Sequence, residues 1–265
     1  MHEECITIKL KSIRKNGLSM SKEQDRKSIK QSYKRDLPDV QMQKADLAIM
    51  AGIKNLSVIF KAARWTLPVK ISVVASTMDH RGVHMSRFVG AVQKHLEGNY
   101  LEESLHLICK EVNKTQPDCQ VTAELIYPFR DQFLRTKVRI SENGKIAYSF
   151  RRLGITACPC SKEIIGIGHM QRSVLTLEIR SDRVLDFEEV ALRMGECFST
   201  TPAEFLRRPH EAEKILEAQA NPKFVEDIIR ACLKKFPNAS KIEARSFESI
   251  HAHDAYAVWK KGNYE

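Results

Sequence analysis

The segment 158–173, which reads CPCSKEIIGIGHMQRS, carries residue types and spacing suited to chemistry. Cys158 and Cys160 flank a proline, and His169 follows within a short glycine-containing loop. Thioredoxin-like redox centres separate their cysteines by two residues, and structural zinc sites combine two cysteine pairs, so a single CxC disfavours both. A catalytic metal needs about three protein ligands. One cysteine, His169 and a distant carboxylate would supply them, whereas the alternative is a tight turn with buried thiols.

His169 also lies beside a basic residue, Arg172, just ahead of the apolar run VLTLEIR. A histidine at the mouth of a strand is well placed to ligate a metal, and the planar guanidinium of Arg172 suits a phosphate group. The alternative for His169 is an ordinary hydrogen-bonded loop histidine.

The segment FESIHAHDAYA, residues 247–257, predicts a proton-transfer pair. Glu248 and His251 combine a carboxylate with an imidazole that titrates near neutral pH. On a regular strand His251 and His253 would share one face and Glu248 the other, so a bulge or turn is needed to bring Glu248 and His251 together. The alternative is a solvated terminal strand.

Further candidates lie outside these two segments. Glu211 follows an Arg-Arg-Pro turn, and Glu226 lies in the first turn of a predicted helix, where acidic residues are common because they suit the helix dipole. The segment MDHRGVHMSRF gathers Arg81, His84 and Arg87 around a glycine. Such a cluster suits a triphosphate or an acidic patch on a partner subunit.

The overall charge and cysteine content narrow the class of protein. The formal net charge is +10, but residues 1–36 hold ten Lys or Arg against five Asp or Glu, so half of the excess lies in this leader. We expect the leader, which has no sustained apolar run, to be disordered. No segment approaches the ~20 apolar residues of a membrane span, so we expect a soluble, cytoplasmic protein. Seven scattered cysteines predict buried thiols rather than a disulfide framework.

Periodicity along the chain predicts an α+β fold in two successive units. Alternation predicts a strand at LPVKISVVAST, and helical spacing from Met85 predicts two helices broken at residues 97–99. Asn143-Gly144 between two alternating runs predicts a hairpin. The second unit repeats this order: a strand at SVLTLEIRSD, amphipathic stretches at 186–197 and 203–220, a helix from Asn221 to Lys235, and strand material over KIEARSFESIHAHDAYAVWK.

Seven motifs in this order resemble the GTP cyclohydrolase type IB family. They are LPDVQ, GVHMSRF, TACPCSKEI, HMQRS, RRPHE, NPKFVED and FESIHAHDAYA, and the resemblance covers about residues 37–258. The resemblance implies tandem tunnelling-fold modules, with antiparallel sheets and paired helices on one face, here at 37–150 and 151–265. It also implies a homotetramer with active sites near subunit interfaces, and conversion of GTP and water to formate and 7,8-dihydroneopterin triphosphate in folate and pterin biosynthesis.

The resemblance also assigns roles to residues. Cys158, His169 and Glu211 correspond to ligands of one divalent metal, which is Zn²⁺, Fe²⁺ or Mn²⁺ by donor type. Catalytic residues near the reacting ring are Cys160, Glu248 and His251, and Glu226 matches the carboxylate that anchors guanine. Charge and position select four triphosphate-binding candidates, which are Arg81, Arg87, Lys162 and Arg172.

Three positions depart from the usual family pattern, and two other functions stay open. Met170 replaces Asn after the ligand histidine, His210 replaces Asp, and the IGIG loop replaces Tyr-Gly-Ala. One alternative is the archaeal-type relative, which opens GTP but yields dihydroneopterin 2′,3′-cyclic phosphate. The other is a non-catalytic, metal-stabilised nucleic-acid-binding protein, which the concentration of charge in the leader disfavours.

Overall fold

A computed structural model describes residues 39–130 and 132–262 of the chain. The predicted basic leader, residues 1–36, lies outside the described residues. A 3-10 turn, Val40–Met42, precedes the first strand. The strands are β1 Met50–Lys61, β2 Thr66–Ser76, β3 Gln120–Phe129, β4 Gln132–Ser141, β5 Ile146–Ala157, β6 Met170–Ser181, β7 Ala239–Ser246 and β8 Ala255–Lys260. The helices are α1 Met85–Lys94, α2 Leu101–Asn113, α3 Pro159–Ile165, α4 Phe187–Gly195, α5 Arg208–Ala220 and α6 Val225–Lys235.

All eight strands form one antiparallel sheet in chain order, so each strand pairs with its neighbour in sequence. Helices α1 and α2 are inserted between β2 and β3, and α4, α5 and α6 between β6 and β7. The chain is therefore an α+β protein. Within the described part of the chain, β1 and β8 each pair on one side only and form the two edges of the sheet.

The buried face of the sheet follows directly from alternation in the sequence. Val69, Ile71 and Val73 of β2 are at most 1% exposed, while the residues between them are more accessible, as a period of two requires. These side chains share one apolar core with the inward faces of α1, α2, α4 and α6. The paired helices therefore cover one face of the sheet.

The hairpin predicted at Asn143-Gly144 is confirmed between β4 and β5. Gly144 has a φ of +73°, which a residue without Cβ adopts without strain. The Asn143 side chain accepts a hydrogen bond from the Lys145 N–H at 3.1 Å. This tight turn joins the strands of the two halves into a single sheet, and the boundary predicted at 150/151 falls inside β5.

Two expectations about secondary structure need correction. Helix α6 begins at Val225, not at Asn221, because the Asp227 carboxylate accepts the Phe224 N–H at 3.0 Å and fixes the helix start there. Asn221 instead ends α5, and its side-chain amide donates to the carbonyls of Phe198 and Ser199. The terminal strand predicted over 241–260 is also wrong in part, since residues 247–254 form a loop between β7 and β8.

Strand β1 was not predicted from the sequence. Asn55 within it has a φ of +59°, and the pairing with β2 shifts between Ile53 and Leu56. This irregularity breaks the alternation by which a strand is recognised. Among residues 39–130 and 132–262, no helix is both long enough and apolar enough to cross a lipid bilayer.

Candidate active site

The connection between β5 and β6, residues 158–169, begins with the CxC segment. Cys158 is the N-cap of the short helix α3, and Pro159 occupies its first turn, where a missing N–H costs nothing. Cys158 is partly exposed and Cys160 is exposed, so the alternative of a turn with buried thiols is wrong for this pair. The prediction of buried thiols is confirmed for the other described cysteines, which are Cys109, Cys119, Cys197 and Cys232.

Backbone contacts hold Cys158 beside His169. The Cys158 N–H donates to the His169 carbonyl at 2.9 Å. Gly168 packs so closely that a Cβ there would overlap the Cys158 carbonyl oxygen. The side-chain amide of Gln219, at the end of α5, bonds both the N–H and the carbonyl of Gly168 at 2.8 Å. Helix α5 therefore clamps the loop, and the two ends of the connection stay together.

Cys158 and His169 open into a cavity of about 420 Å³. Five of the predicted site residues line this one cavity, which are Cys158, His169, Glu226, Glu248 and His251. The other lining residues are Gln171, Lys223, Phe224, Val225, Ser246, His253, Ala255 and Tyr256. The ends of three strands, the start of α6 and the 247–254 loop thus converge on the same space.

The loop between β7 and β8, residues 247–254, is the turn expected from the sequence, and it brings Glu248 and His251 to the same cavity. Glu248 Oε2 lies 3.9 Å from His169 Nδ1, and these two side chains are only 11% and 15% exposed. The His251 ring stands edge-on to His169 with centroids 6.3 Å apart, and it stacks on His253 at 5.2 Å. The carboxylate of Glu248 and the imidazole of His251 therefore lie next to His169, an arrangement suited to moving protons.

A series of hydrogen bonds between neutral polar side chains fixes the orientation of the His169 ring. Gln171 Oε1 lies 2.9 Å from His169 Nδ1, and Gln171 Nε2 donates to Thr156 Oγ1 at 3.1 Å. The series continues across neighbouring strands to Ser173 at 2.8 Å and then to Ser246 at 2.5 Å. Gln171 Oε1 and the Glu248 carboxylate both face Nδ1 as acceptors, and the Ser249 hydroxyl lies 3.2 Å from it, which favours the tautomer with the proton on Nδ1 and the lone pair on Nε2. His169 is thereby prepared to act as a metal ligand through Nε2.

Next to α6 the cavity is lined by a carboxylate, that of Glu226, and by Lys223, whose ammonium group is hydrogen-bonded within the protein. Glu226 lies in the first turn of α6 and is exposed to the cavity. Burial lowers the pKa of Lys223. Its ammonium group donates to three carbonyls at the end of α4, which belong to Glu196, Cys197 and Phe198. Lys223 therefore ties the segment before α6 to the end of α4. Glu226 is the group on this side of the cavity that can accept hydrogen bonds from a ligand.

Six predicted site residues do not line this cavity. Glu211 is exposed in the first turn of α5, eight residues and about 12 Å along the helix from Gln219. Arg172 alternates with Gln171 and Ser173 on β6, so it points to the opposite face of the sheet. Lys162 donates to the Gln219 carbonyl. Cys160 is exposed on α3.

The two predicted triphosphate-binding arginines of the first half, Arg81 and Arg87, lie outside the Cys158 cavity. Arg81 donates to Gln43 Oε1 at 2.8 Å and lines a cavity of about 460 Å³ that also includes His84. Arg87 is exposed on α1. Neither residue lines the Cys158 cavity.

The resemblance implies a divalent metal, and two side chains of the cavity suit one. Cys158 and His169 fit such an ion, because a thiolate and an imidazole with a free Nε2 are ligands that Zn²⁺ and Fe²⁺ accept. Within the described ranges, no three His, Cys, Asp or Glu side chains are already grouped to hold a metal. The nearest carboxylate to His169 is that of Glu248, and Glu211 remains a prediction as a ligand.

Sequence reasoning missed several residues of the cavity. Gln171 and Ser246 are neutral and carry no charge pattern, and Lys223 and Tyr256 were not distinguished from ordinary surface residues. Gln171 had one available signal, since it lies two residues after His169 within the HMQRS motif. On a strand that spacing places it on the same face as His169.

Comparison with known proteins places the chain among enzymes. The sequence model of the family described as "Type I GTP cyclohydrolase folE2" matches residues 25–257. GTP cyclohydrolase FolE2 of Dictyoglomus turgidum is 32% identical over 243 residues, covering 80% of this chain and 91% of that protein. GTP cyclohydrolase FolE2 of Fervidobacterium nodosum is 34% identical over 208 residues, covering 68% of this chain and 76% of that protein.

Among solved structures, uricase from Arthrobacter globiformis superposes with a TM-score of 0.49 at 10% identity, covering 84% of this chain and 97% of uricase. The family match spans most of the chain and includes the segments that form the Cys158 cavity. The chain therefore belongs to the type I GTP cyclohydrolase FolE2 family.

Proposed function

We propose that this chain is a metal-dependent GTP cyclohydrolase I of the type IB class. It converts GTP and water to formate and 7,8-dihydroneopterin triphosphate, the first step of folate and pterin biosynthesis. Membership of the FolE2 family supports this activity. The observation that carries the proposal is the convergence of five predicted residues, Cys158, His169, Glu226, Glu248 and His251, on one cavity.

Glu226 binds the guanine base in this proposal. Guanine presents adjacent N–H donors on one edge, and a carboxylate accepts two such donors at once. Glu226 suits this role because it lines the cavity from the start of α6, where no described hydrogen bond or ion pair occupies its carboxylate. The base is thereby oriented with its imidazole ring toward Cys158 and His169.

Cys158 and His169 would hold the metal, with Glu211 as the third predicted ligand. When bound there, a divalent ion supplies Lewis acidity that makes water a better nucleophile near neutral pH. Gln171 keeps the His169 proton on Nδ1, so Nε2 stays available. Glu211 lies in the first turn of α5 and does not line the cavity, so its role as third ligand rests on the resemblance.

Glu248 and His251 move the protons of the reaction. Water adds to C8 of guanine and opens the imidazole ring, and hydrolysis of the formamide then releases formate. The Glu248 carboxylate, held beside His169, accepts a proton from the attacking water. The His251 ring, stacked on His253, is positioned to give a proton to the departing nitrogen. Cys160 is the further group proposed near the ring.

The assembly we propose is a homotetramer of chains with two tandem tunnelling-fold modules. Two observations support this assembly. Apart from the short helix α3 between β5 and β6, each half has the order of two strands, helices and two strands. Both edge strands, β1 and β8, also have an unpaired side that another copy can extend. The modules would meet at the 142–145 turn. Active sites at subunit interfaces would let Arg81 and Arg87 of one copy, with Lys162 and Arg172, meet the triphosphate in the cavity of another.

The proposed activity is tested by titrating anaerobically prepared apo-protein with Zn²⁺, Fe²⁺ and Mn²⁺ separately. We expect formate release from GTP to rise with added metal and to saturate at one ion per chain. Mass spectrometry of the product should give the mass of 7,8-dihydroneopterin triphosphate. The mass of the cyclic phosphate would instead identify the archaeal-type reaction, and formate release that no metal stimulates would reject the metal-dependent mechanism.

A further inference from the structure

A second cavity, called here the Glu102 cavity, lies away from the Cys158 cavity and is lined by residues of the first half together with residues 184–188 of the second half. Its volume is about 450 Å³, and it opens where the β1–β2 connection meets the start of α2 and the segment leading into α4. The residues that carry the argument are Ala63, Arg64, Trp65, Glu102, Tyr127 and Phe187.

The start of α2 matches the start of α6 residue by residue. Tyr100-Leu101-Glu102 gives the N-cap and first two positions of α2, and Phe224-Val225-Glu226 gives those of α6. An acidic residue follows in each helix. In both cases the glutamate lines a cavity, so the two cavities occupy corresponding places in the two halves of the chain.

The carboxyl group of Glu102 is buried at the bottom of the second cavity. The residue is 4% exposed, and Glu102 Oε1 accepts a hydrogen bond from the Tyr148 hydroxyl at 2.9 Å. The Tyr148 hydroxyl in turn accepts the Leu185 N–H at 3.3 Å, which fixes its orientation. Burial raises the pKa of Glu102. In either protonation state, a carboxyl group accepts hydrogen bonds from N–H donors.

Aromatic rings form the walls of this cavity. Trp65 and Tyr127 meet edge to face with centroids 6.4 Å apart, and Tyr127 meets Phe187 in the same way at 5.6 Å. Trp65 and Tyr127 are both partly exposed. Partly exposed aromatic faces beside a buried carboxyl suit a flat ligand that stacks on a ring while its edge donates hydrogen bonds.

We propose that this cavity binds an unphosphorylated planar heterocycle with adjacent N–H donors, of the purine or pterin type. The Glu102 carboxyl accepts the N–H edge, and Trp65 and Tyr127 provide the stacking surface. Among the described residues that line it there is no cysteine or histidine. The site therefore binds the ring without carrying the groups proposed for hydrolysis in the Cys158 cavity.

The charges around the cavity select against a triphosphate. Arg64 is the one cationic side chain among its described lining residues, whereas Glu102, Asp186 and Glu188 are acidic. The Asp186 carboxylate already accepts two hydrogen bonds, because it caps α4 by accepting the Glu188 and Glu189 N–H groups. An anionic ligand would still meet net negative surroundings. A nucleoside or free pterin avoids this repulsion.

The test uses Trp65 as its own reporter. The chain has two tryptophans, so the Trp259→Phe variant leaves Trp65 as the source of tryptophan fluorescence. We expect saturable quenching when the full-length variant is titrated with guanosine or with neopterin, and the tighter of the two identifies the source of the ring. GTP should bind this site more weakly than guanosine. Equal or tighter binding of GTP would overturn the charge argument.

Three variants in the Trp259→Phe background test whether the ligand binds in the cavity that contains Glu102. Glu102→Gln should weaken binding of the quenching ligand by about tenfold or more, because it replaces one carboxyl oxygen with an NH₂ donor that cannot accept from the N–H edge of the ligand. Glu226→Gln, the matched change in the other cavity, should leave the Trp65 signal unchanged. Ala63→Tyr fills the mouth from an exposed position without entering the core, and it should abolish quenching.

The outcomes against the proposal are equally definite. Absence of saturable quenching by either ring, quenching that survives Ala63→Tyr, or quenching lost in Glu226→Gln would each overturn it. If Glu102→Gln fails to fold, Ala63→Tyr still decides, since it alters an exposed residue. None of these measurements depends on formate release. Failure of this binding proposal can therefore be distinguished from failure of the proposed catalytic activity.

Discussion

The two halves of the chain share an order of elements but differ in the connections between their strands. In the first half, residues 62–65 join β1 to β2, and β4 begins at Gln132, three residues after β3 ends at Phe129. In the second half, the corresponding connections are residues 158–169 and 247–254. The first of these carries Cys158 and His169, and the second carries Glu248 and His251.

This difference shows where the candidate chemistry of the molecule lies. Both halves open their last helix with an aromatic residue, an aliphatic residue and a glutamate, and both glutamates line cavities. The carboxyl that we propose to bind the ring therefore belongs to the repeated framework. The groups proposed for metal binding and proton transfer lie on the longer connections of the second half, so changes there should affect catalysis more than changes in the framework.

Among changes that should leave the metal bound, the largest predicted effect is at Glu248. Glu248→Gln removes the proposed proton acceptor next to His169 but keeps the size of the side chain, so we expect kcat to fall about 100-fold or more with KM little changed. Steady-state formate release is the measurement. Glu211→Gln is the matched control, since loss of bound metal is expected there and not in Glu248→Gln; the reverse pattern would make Glu248 the third ligand.

The next effect concerns the orientation of His169. Gln171→Leu keeps the approximate volume but removes the acceptor for His169 Nδ1, so we expect metal affinity to fall about 10- to 100-fold. Competition with a chelator measures the affinity directly. Gln171→Glu restores an acceptor and should recover much of it. Unchanged affinity in Gln171→Leu would remove Gln171 from the proposed metal site.

A matched pair of glycine changes compares the two halves in stability. Gly168→Ala forces a Cβ against the Cys158 carbonyl, so we expect a loss of about 1–3 kcal/mol in the free energy of unfolding together with weaker metal binding. Gly90→Ala, in α1, meets nothing within 4 Å and should stabilise the protein by about 0.5–1 kcal/mol. Urea denaturation measures both, and equal effects at the two positions would contradict the close fit of the 158–169 connection.

The smallest predicted effect is a pH dependence in the first half. Burial raises the pKa of Glu102 above 4.5, so the folded protein holds a proton that the unfolded chain releases. The stability that Glu102 contributes is full below about pH 4.5 and is lost as the pH rises through its folded pKa. The difference in unfolding free energy between wild type and Glu102→Gln should therefore decrease with rising pH, and an increase would contradict the burial of an ionisable group there.

Much of the fold was predictable because its signals are local. Alternation identified β2 and β6, helical spacing identified α1 and α2, and Asn143-Gly144 identified the central hairpin. The start of α6 was not predictable in the same way, because Asn221-Pro222 is a good capping pair that tertiary contacts use instead to end α5. Strand β1 was missed because a residue with positive φ interrupts its alternation.

The candidate site was predictable to the extent that its residues are chemically distinctive. Cysteine, histidine and glutamate within ordered motifs led to five of the residues that line the cavity. Gln171, Ser173 and Ser246 were not predictable, since their contribution is a hydrogen-bonded path across three strands that exists only after the sheet has formed. The position of Glu211 likewise depends on how α5 lies against the 158–169 connection, which no local pattern encodes.

The most direct test of the central claim is the Cys158→Ala variant, measured for bound metal and for formate released from GTP. Wild-type protein reconstituted with metal should bind one ion per chain and release one formate for each GTP consumed. Cys158→Ala should lose both the ion and formate release while keeping its fold by circular dichroism. Full formate release by metal-free Cys158→Ala would contradict the assignment of this cavity as a metal-dependent active site.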